Sequence, residues 1–174
     1  SEMCIRDSLW TSWRRDMERI ASFTVNHDVL VPGLYLSRRD GDVTTFDLRF
    51  KKPNTGDLLT NAQMHSVEHI IATLLRNSPE KDAVIYFGPM GCQTGFYFLF
   101  DSRRLTDEAA IRLVQRVFAA GAVYDGPMPG KSAAECGNFR NLDTALARDC
   151  CAWYADRIRN WTPESLTYPQ AEAE

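Results

Sequence analysis

The chain has 174 residues, enough for one globular domain with a single hydrophobic core, so we expect one active site. Its formal net charge of −3 argues against a general affinity for nucleic acid or anionic membranes, because both attract basic proteins. No apolar stretch approaches the roughly 20 residues that cross a bilayer, and the first residues do not follow a secretory signal pattern. These features predict a cytoplasmic protein that acts on a small molecule or a protein partner.

The number and spacing of the cysteines also indicate a reducing compartment. Five cysteines are an odd number at irregular spacing, which suits metal-binding or catalytic thiols better than a disulfide framework. They are Cys4, Cys92, Cys136, Cys150 and Cys151.

The first residues differ from those that follow. The segment 1–16 has no periodic pattern, and Met17 precedes the first strand-like run. We therefore expect a non-native or disordered leader at 1–16 and a single domain at 17–174.

Several runs rich in β-branched and aromatic residues predict strands. They are Ile20–Val25, Val43–Phe50, Ala83–Phe87 and Gly95–Phe100, with a further short strand at Leu34–Leu36.

Three segments with helical spacing or capping signals predict helices. The first follows a T-x-x-Q capping pattern at Thr60 and runs to about Asn77, the second runs from Thr106 to Gly121, and the third from Asn141 to about Arg159. Strand-helix-strand units are too few for a doubly wound sheet. The pattern predicts an α+β domain, with a mainly antiparallel sheet and helices packed on one face.

The most informative segment is His-Ser-Val-Glu-His, from His65 to His69. On a helix, histidines four residues apart project from one face, which is the spacing that two ligands of one metal need. Glu68 lies beside them without having to be a ligand, as suits a carboxylate that moves protons near a metal. The alternative is that these residues are ordinary polar groups on the solvated face of the helix. The chain has only three histidines, and two of them stand in this segment.

A pair of histidines needs at least one more protein ligand. Cys136 is a candidate because a thiolate binds iron, cobalt or zinc well, although an isolated cysteine is often only a small buried side chain. Its neighbour Glu135 competes for this role, since a His/His/Glu set would resemble the zinc peptidases with an inverted H-x-x-E-H motif. The residues alone do not decide between Cys136 and Glu135 as the third ligand.

Cys92 lies in a predicted turn between two strands, within Pro-Met-Gly-Cys-Gln-Thr-Gly. A thiol held in such a turn near a cation can serve as an acid or a base. The alternative is an ordinary cysteine between two strands.

Several ordered blocks resemble the S-ribosylhomocysteine lyase (LuxS) family, and their order and spacing together are specific. The blocks are Ser22–His27, Phe46–Phe50, His65–His69, Pro89–Cys92 with Thr94–Tyr97, and Cys136–Gly137. The chain departs from the family pattern at Gln93, where the family usually has an arginine after the catalytic cysteine, and at Tyr86-Phe87-Gly88, which replaces a segment that usually carries an aspartate and a serine. Downstream of Gly137, Asn138-Phe139-Arg140 follows the pattern only loosely.

The resemblance implies a homodimer with active sites at the subunit interface and one divalent metal per subunit. It implies that His65, His69 and Cys136 are the ligands and that the metal is ferrous iron, with zinc or cobalt as alternatives. The reaction it implies is cleavage of S-ribosylhomocysteine to homocysteine and 4,5-dihydroxy-2,3-pentanedione, the precursor of a bacterial quorum-sensing signal. The same reaction serves the activated methyl cycle.

The resemblance also assigns roles to single residues. Cys92, as a thiolate, would take and return carbon-bound protons, and Glu68 would move oxygen-bound protons and assist the final elimination. The residues matching Ser22 and His27 reach the ribose across the dimer interface, and the residue matching Arg49 contacts the substrate. Arg76 matches a further substrate-binding arginine.

Two other functions remain open from the residues alone. One is a small zinc metallopeptidase of the inverted H-x-x-E-H type, with Glu135 as its third ligand. The other is a relative that binds metal at the same residues but no longer catalyses a reaction.

Overall fold

Four strands and three α-helices make up the part of the chain that the structure, a computed structural model, describes, which is residues 17–171. The expected leader at 1–16 lies outside this range. The strands are β1 (Gly33–Asp40), β2 (Val43–Arg49), β3 (Val84–Pro89) and β4 (Gly95–Asp101). The helices are α1 (Asn61–Arg76), α2 (Asp107–Ala122) and α3 (Thr144–Arg157).

The strands form one antiparallel sheet in the order β1-β2-β4-β3. Residues directly opposite each other in neighbouring strands project to the same side, so the register separates the side chains into two faces. One face is apolar, whereas the other carries polar and aromatic side chains. The apolar face bears Leu34, Leu48, Phe96 and Phe98, and the opposite face bears Tyr35, Asp47, Arg49 and Tyr97.

The apolar face of the sheet and the three helices share one hydrophobic core. Val67 and Ile70 from α1 and Phe118 from α2 are fully buried in it. This arrangement confirms the predicted α+β class and the antiparallel sheet. Among residues 17–171, no helix is both long and apolar enough to cross a membrane.

The predicted strand at Ile20–Val25 is wrong. Residues Ala21–Phe23 form a single 3-10 turn, which the Thr24 hydroxyl closes by donating a hydrogen bond to the Ala21 carbonyl. Local side-chain bonds of this kind compete with strand pairing, and the side chains of Ile20 and Phe23 are more than half exposed. The alternating apolar pattern of this segment therefore does not mark a buried strand face.

Two other predicted boundaries also shift. The short strand expected at Leu34–Leu36 is part of the eight-residue strand β1. The third helix begins at Thr144 instead of Asn141, because the Asp143 carboxylate caps it by accepting hydrogen bonds from the backbone N–H groups of Ala145 and Leu146. Asn141 lies in a separate 3-10 turn, which leaves its side chain free to bond elsewhere.

The start of α1 follows the predicted capping pattern. The Thr60 hydroxyl accepts a hydrogen bond of 3.1 Å from the Gln63 backbone, and the Gln63 side chain accepts one of 2.8 Å from the Thr60 backbone. Such a reciprocal cap satisfies two backbone donors that a helix end otherwise leaves free. It fixes the helix start just ahead of His65.

Candidate active site

Three potential metal ligands converge from two parts of the chain. His65 and His69 project from neighbouring turns of α1, and Cys136 lies in the loop before α3. One ligand atom from each of the three lies within 4.8 Å of the others, and the Cys136 Sγ is 3.3 Å from the His65 Nε2. Because these atoms are so close together, a single ion can bind all three. All three side chains are partly buried.

Hydrogen bonds on the far side of each imidazole fix which nitrogen faces the cluster. The His65 Nδ1 lies 2.6 Å from the Asn141 side-chain oxygen, and the His69 Nδ1 lies 2.7 Å from the Pro129 carbonyl oxygen. Both oxygens only accept hydrogen bonds, so each Nδ1 carries the proton. The lone pair of each Nε2 is thereby left for a metal, as is usual for histidine ligands in metalloproteins.

The loop that orients His69 depends on a glycine. Gly130 follows Pro129 and has a φ of +66°, a backbone conformation that residues other than glycine rarely adopt. A Cβ at this position would also lie 3.1 Å from the His69 ring. The glycine therefore lets the backbone approach the ring closely enough for the Pro129 carbonyl to accept its proton.

The donor set fits a divalent transition metal. Two imidazole nitrogens and one thiolate suit iron, cobalt or zinc, and three protein ligands leave a coordination position open, as in catalytic sites. The competing ligand Glu135 is not part of this cluster of the described residues. Its exposed carboxylate instead accepts a hydrogen bond of 2.5 Å from the Ser132 hydroxyl.

Removing the oxygen that orients His65 should weaken metal binding. We expect Asn141→Ala to lower metal affinity by about 10- to 100-fold, the usual effect of losing a hydrogen bond behind a ligand. Titration with cobalt, followed by its absorption spectrum, measures this. Asn61→Ala is the control. Asn61 accepts a hydrogen bond of 2.6 Å from the Asn141 amide but does not contact His65, so its replacement should lower metal affinity less than Asn141→Ala does. Equal affinity of wild type and Asn141→Ala would contradict the proposed orientation.

Cys92 lies in the turn between β3 and β4, as predicted, and is exposed. The turn is closed by backbone bonds from Met90 to Gly95 and from Gln93 to Met90. Gln93 has a φ of +63°, and its side-chain amide donates a hydrogen bond of 3.0 Å to the Leu59 carbonyl just before α1. This bond ties the Cys92 turn to the segment that leads into the metal-ligand helix.

Arg49 connects Cys92 to a buried ion pair. Its guanidinium donates two hydrogen bonds to the Asp47 carboxylate, of 3.1 and 2.6 Å, and one of 2.6 Å to the Thr94 hydroxyl. The guanidinium nitrogen that donates to Thr94 lies 3.9 Å from the Cys92 Sγ. The Thr94 hydroxyl lies 3.0 Å from the same sulfur. Burial lowers the pKa of Arg49, but its interactions with the Asp47 carboxylate raise that pKa by more than burial lowers it. The net shift is upward, so the guanidinium stays charged.

The other predicted site residues lie at several places. Glu68 is on α1 directly before His69 and is partly buried. Ser22 lies in the 3-10 turn next to the edge strand β1, and His27 follows it, with its Nδ1 2.9 Å from the Val25 carbonyl.

The Arg76 guanidinium donates hydrogen bonds of 2.7 and 2.8 Å to the backbone carbonyls of Val84 and Ile85. These bonds tie α1 to β3, and the predicted substrate contact of Arg76 stays a prediction.

One contact links Tyr86 and Gly88, two residues of the segment that departs from the family pattern. The two residues lie on the same face of β3, and a Cβ built on Gly88 would collide with the Tyr86 hydroxyl. Gly88 thus makes the room that the Tyr86 ring occupies. The two changes form a matched pair.

Several residues that position the site were not predicted from the sequence. Asp47 could have been found, because strand alternation places residues two apart, such as Asp47 and Arg49, on the same face. Asn141 and Pro129 gave no such signal, since their contacts with the histidines span 76 and 60 residues of sequence.

Comparison with known proteins gives consistent similarities. The family model described as S-ribosylhomocysteinase (LuxS) matches residues 20–165. An S-ribosylhomocysteine lyase of Desulfotalea psychrophila is 45% identical over 159 residues, covering 88% of this chain and 99% of the relative. Proteins of the same name from Finegoldia magna and Clostridium beijerinckii are each 40% identical, covering 88% of this chain and 100% and 99% of the relatives. The family match includes all the candidate site residues, from Ser22 to Cys136.

Proposed function

Because this chain belongs to the S-ribosylhomocysteinase (LuxS) family, we propose that it is a metal-dependent carbon-sulfur lyase that cleaves S-ribosylhomocysteine. The products are homocysteine and 4,5-dihydroxy-2,3-pentanedione. The observation that carries this proposal is the convergence of His65, His69 and Cys136 within a chain of this family.

The reaction explains why the site needs both a metal and proton-transfer groups. The sulfur of the substrate leaves only when the carbon that bears it is β to a carbonyl, so the sugar carbonyl must first migrate along the ribose. A divalent metal held by His65, His69 and Cys136 supplies a Lewis acid for the sugar oxygens. Each migration step also needs a base that removes a proton from carbon and returns it to the neighbouring carbon.

Cys92 is the proposed base at carbon. Its thiolate takes a proton from the carbon next to the carbonyl and returns it as a thiol, so one group serves both directions. Arg49 supports this role, since its charged guanidinium lies 3.9 Å from the Cys92 Sγ and favours a negative sulfur there. The Thr94 hydroxyl, 3.0 Å from the same sulfur, can donate a hydrogen bond to the thiolate.

Glu68 is the proposed carrier of oxygen-bound protons. It lies three residues after His65 on α1, and residues three apart are neighbours on a helix surface, which favours a carboxylate near the ligand cluster. In the last step a carbon-bound proton is removed and the carbon-sulfur bond breaks, with its electron pair leaving on sulfur. A proton delivered to that sulfur gives the free thiol of homocysteine.

The substrate-binding residues and the oligomeric state belong to the same proposal. The N-terminal segment that holds Ser22 and His27 exposes Ile20 and Phe23, by 55% and 63%. Neighbouring exposed apolar side chains favour burial against another surface. We infer a homodimer in which this segment reaches the ribose in the partner's site, and we assign further substrate contacts to Arg49 and Arg76.

The proposed native metal is ferrous iron, with cobalt as a stable substitute. The deciding experiment measures free thiol released from S-ribosylhomocysteine by anaerobically purified protein loaded with iron or cobalt. We expect steady thiol release with the metal and none after its removal by a chelator. No release from the fully metal-loaded dimer would overturn the proposed substrate, and cleavage of unstructured peptides would indicate a peptidase instead.

A further inference from the structure

Tyr168 extends the buried polar network behind Cys92 beyond the residues that the family model matches. The family match ends at residue 165, and Tyr168 follows it. Its hydroxyl donates a hydrogen bond of 2.7 Å to the Asp47 carboxylate. The same carboxylate oxygen accepts the 2.6 Å hydrogen bond from Arg49. A hydrogen-bonded chain therefore runs from Tyr168 through Asp47 and Arg49 toward Cys92.

The position of Tyr168 is well defined by packing. Its ring stacks on Tyr35, with centroids 5.0 Å apart and an interplanar angle of 24°. Leu166, two residues earlier, is buried, which holds this segment against the rest of the domain. Burial and the nearby Asp47 carboxylate raise the pKa of Tyr168, so its hydroxyl stays protonated and acts as a donor.

The Tyr168 hydroxyl competes with Arg49 for one carboxylate oxygen. Asp47 and Arg49 are 1% and 3% exposed, so little water is available to replace a lost partner. The two donors share the negative charge of one carboxylate oxygen, so the loss of one donor leaves more of that charge to attract the other. Without the hydroxyl, Asp47 would draw Arg49 more strongly and weaken its interaction with Cys92.

We propose that Tyr168 is a positioning residue for the catalytic thiol, which acts by sharing the Asp47 carboxylate and so leaving part of the Arg49 charge available to Cys92. This inference rests on the proposed role of Cys92 in the lyase reaction. It makes the segment after residue 165 a working part of the active site.

The variant Tyr168→Phe tests this inference, because it removes the hydroxyl and keeps the ring stacked on Tyr35. We expect the alkylation of Cys92 by iodoacetamide at neutral pH to slow by about threefold or more, within the range of the net contribution of a single hydrogen bond. Mass spectrometry of the Cys92 peptide from metal-loaded protein measures this rate. The kcat for S-ribosylhomocysteine should fall by a similar factor with little change in KM.

Tyr35→Phe is the matched control. It removes a neighbouring hydroxyl that donates to the Val31 carbonyl, outside the network, and should leave both rates as in wild type. Unchanged or faster alkylation in Tyr168→Phe would overturn the inference, because a purely structural loss would leave the turn unchanged or make it more accessible.

A second variant separates charge from structure. In Asp47→Asn the carboxylate charge is gone, so the Arg49 charge should act fully on Cys92 and alkylation should become faster. Adding Tyr168→Phe to Asp47→Asn should then have no further effect, because the hydroxyl acts through the carboxylate. If Tyr168→Phe slows alkylation equally in wild type and in Asp47→Asn, the hydroxyl does not act through the Asp47 carboxylate, and the inference is overturned. If Asp47→Asn does not fold, the comparison of Tyr168→Phe with Tyr35→Phe decides alone.

Alkylation requires no substrate, so these experiments remain decisive even if S-ribosylhomocysteine is not cleaved. Absence of thiol release from wild type would overturn the proposed function. Absence of an alkylation difference would overturn only the role of Tyr168.

Discussion

Replacing Cys92 by alanine is expected to reduce thiol release from S-ribosylhomocysteine by about 10²- to 10⁴-fold, the usual contribution of a positioned acid or base. The alanine cannot take a proton from carbon, so carbonyl migration lacks its base. The metal content should stay at the wild-type level, because the proposed metal ligands are His65, His69 and Cys136. The measurement combines the thiol assay with metal analysis of the purified protein.

Cys150→Ala is the matched control for this prediction. Cys150 is a buried thiol on α3, and burial raises its pKa, so it stays protonated and unreactive. Its replacement should leave thiol release near the wild-type rate. Wild-type activity in Cys92→Ala would assign the base to another residue, and joint loss of metal and activity would make Cys92 part of the metal site.

Cys136→Ala is expected to abolish both stoichiometric metal binding and activity. One of three protein ligands is lost, and the resulting fall in affinity should exceed the 10- to 100-fold effect of losing a bond behind a ligand. The two histidines remain, so weak residual binding should be visible in a cobalt titration. The loss of the thiolate should also remove the sulfur-to-cobalt charge-transfer absorption.

Glu135→Ala distinguishes the two ligand sets that the sequence left open. Glu135 is the neighbour of Cys136, and its carboxylate bonds to Ser132 outside the ligand cluster. This variant should bind metal and release thiol as wild type does. Metal loss in Glu135→Ala with retention in Cys136→Ala would favour the His/His/Glu set and the peptidase interpretation.

Local sequence rules predicted the parts of the site that lie close together along the chain. The H-x-x-E-H spacing placed two ligands on one helix face, and the Thr60 cap set the start of that helix. Cys136 is different, because 71 residues separate it from His65 and only the family resemblance favoured it over Glu135. The structure supports that choice by bringing the thiol, and not the carboxylate, to the histidines.

The missed features depend on tertiary contacts or on local competition between hydrogen bonds. The segment Ile20–Val25 has strand-like composition, yet a hydroxyl-to-carbonyl bond closes it into a turn. Asn141 was expected to begin a helix, but the Asp143 side chain caps the helix instead, and the Asn141 side chain bonds to His65. In both cases a few hydrogen bonds decide between conformations that composition alone does not separate.

The ligand cluster joins α1 to a loop 71 residues later, so a bound metal acts as a removable cross-link. A ligand that binds only the folded state stabilises it by an amount that grows with the logarithm of the ratio of free metal concentration to Kd. Metal supply would then control how long the protein survives in the cell as well as how fast it works. Scarcity of the metal would therefore both stop the reaction and speed degradation of the chain, through opening of the Pro129–Cys136 loop.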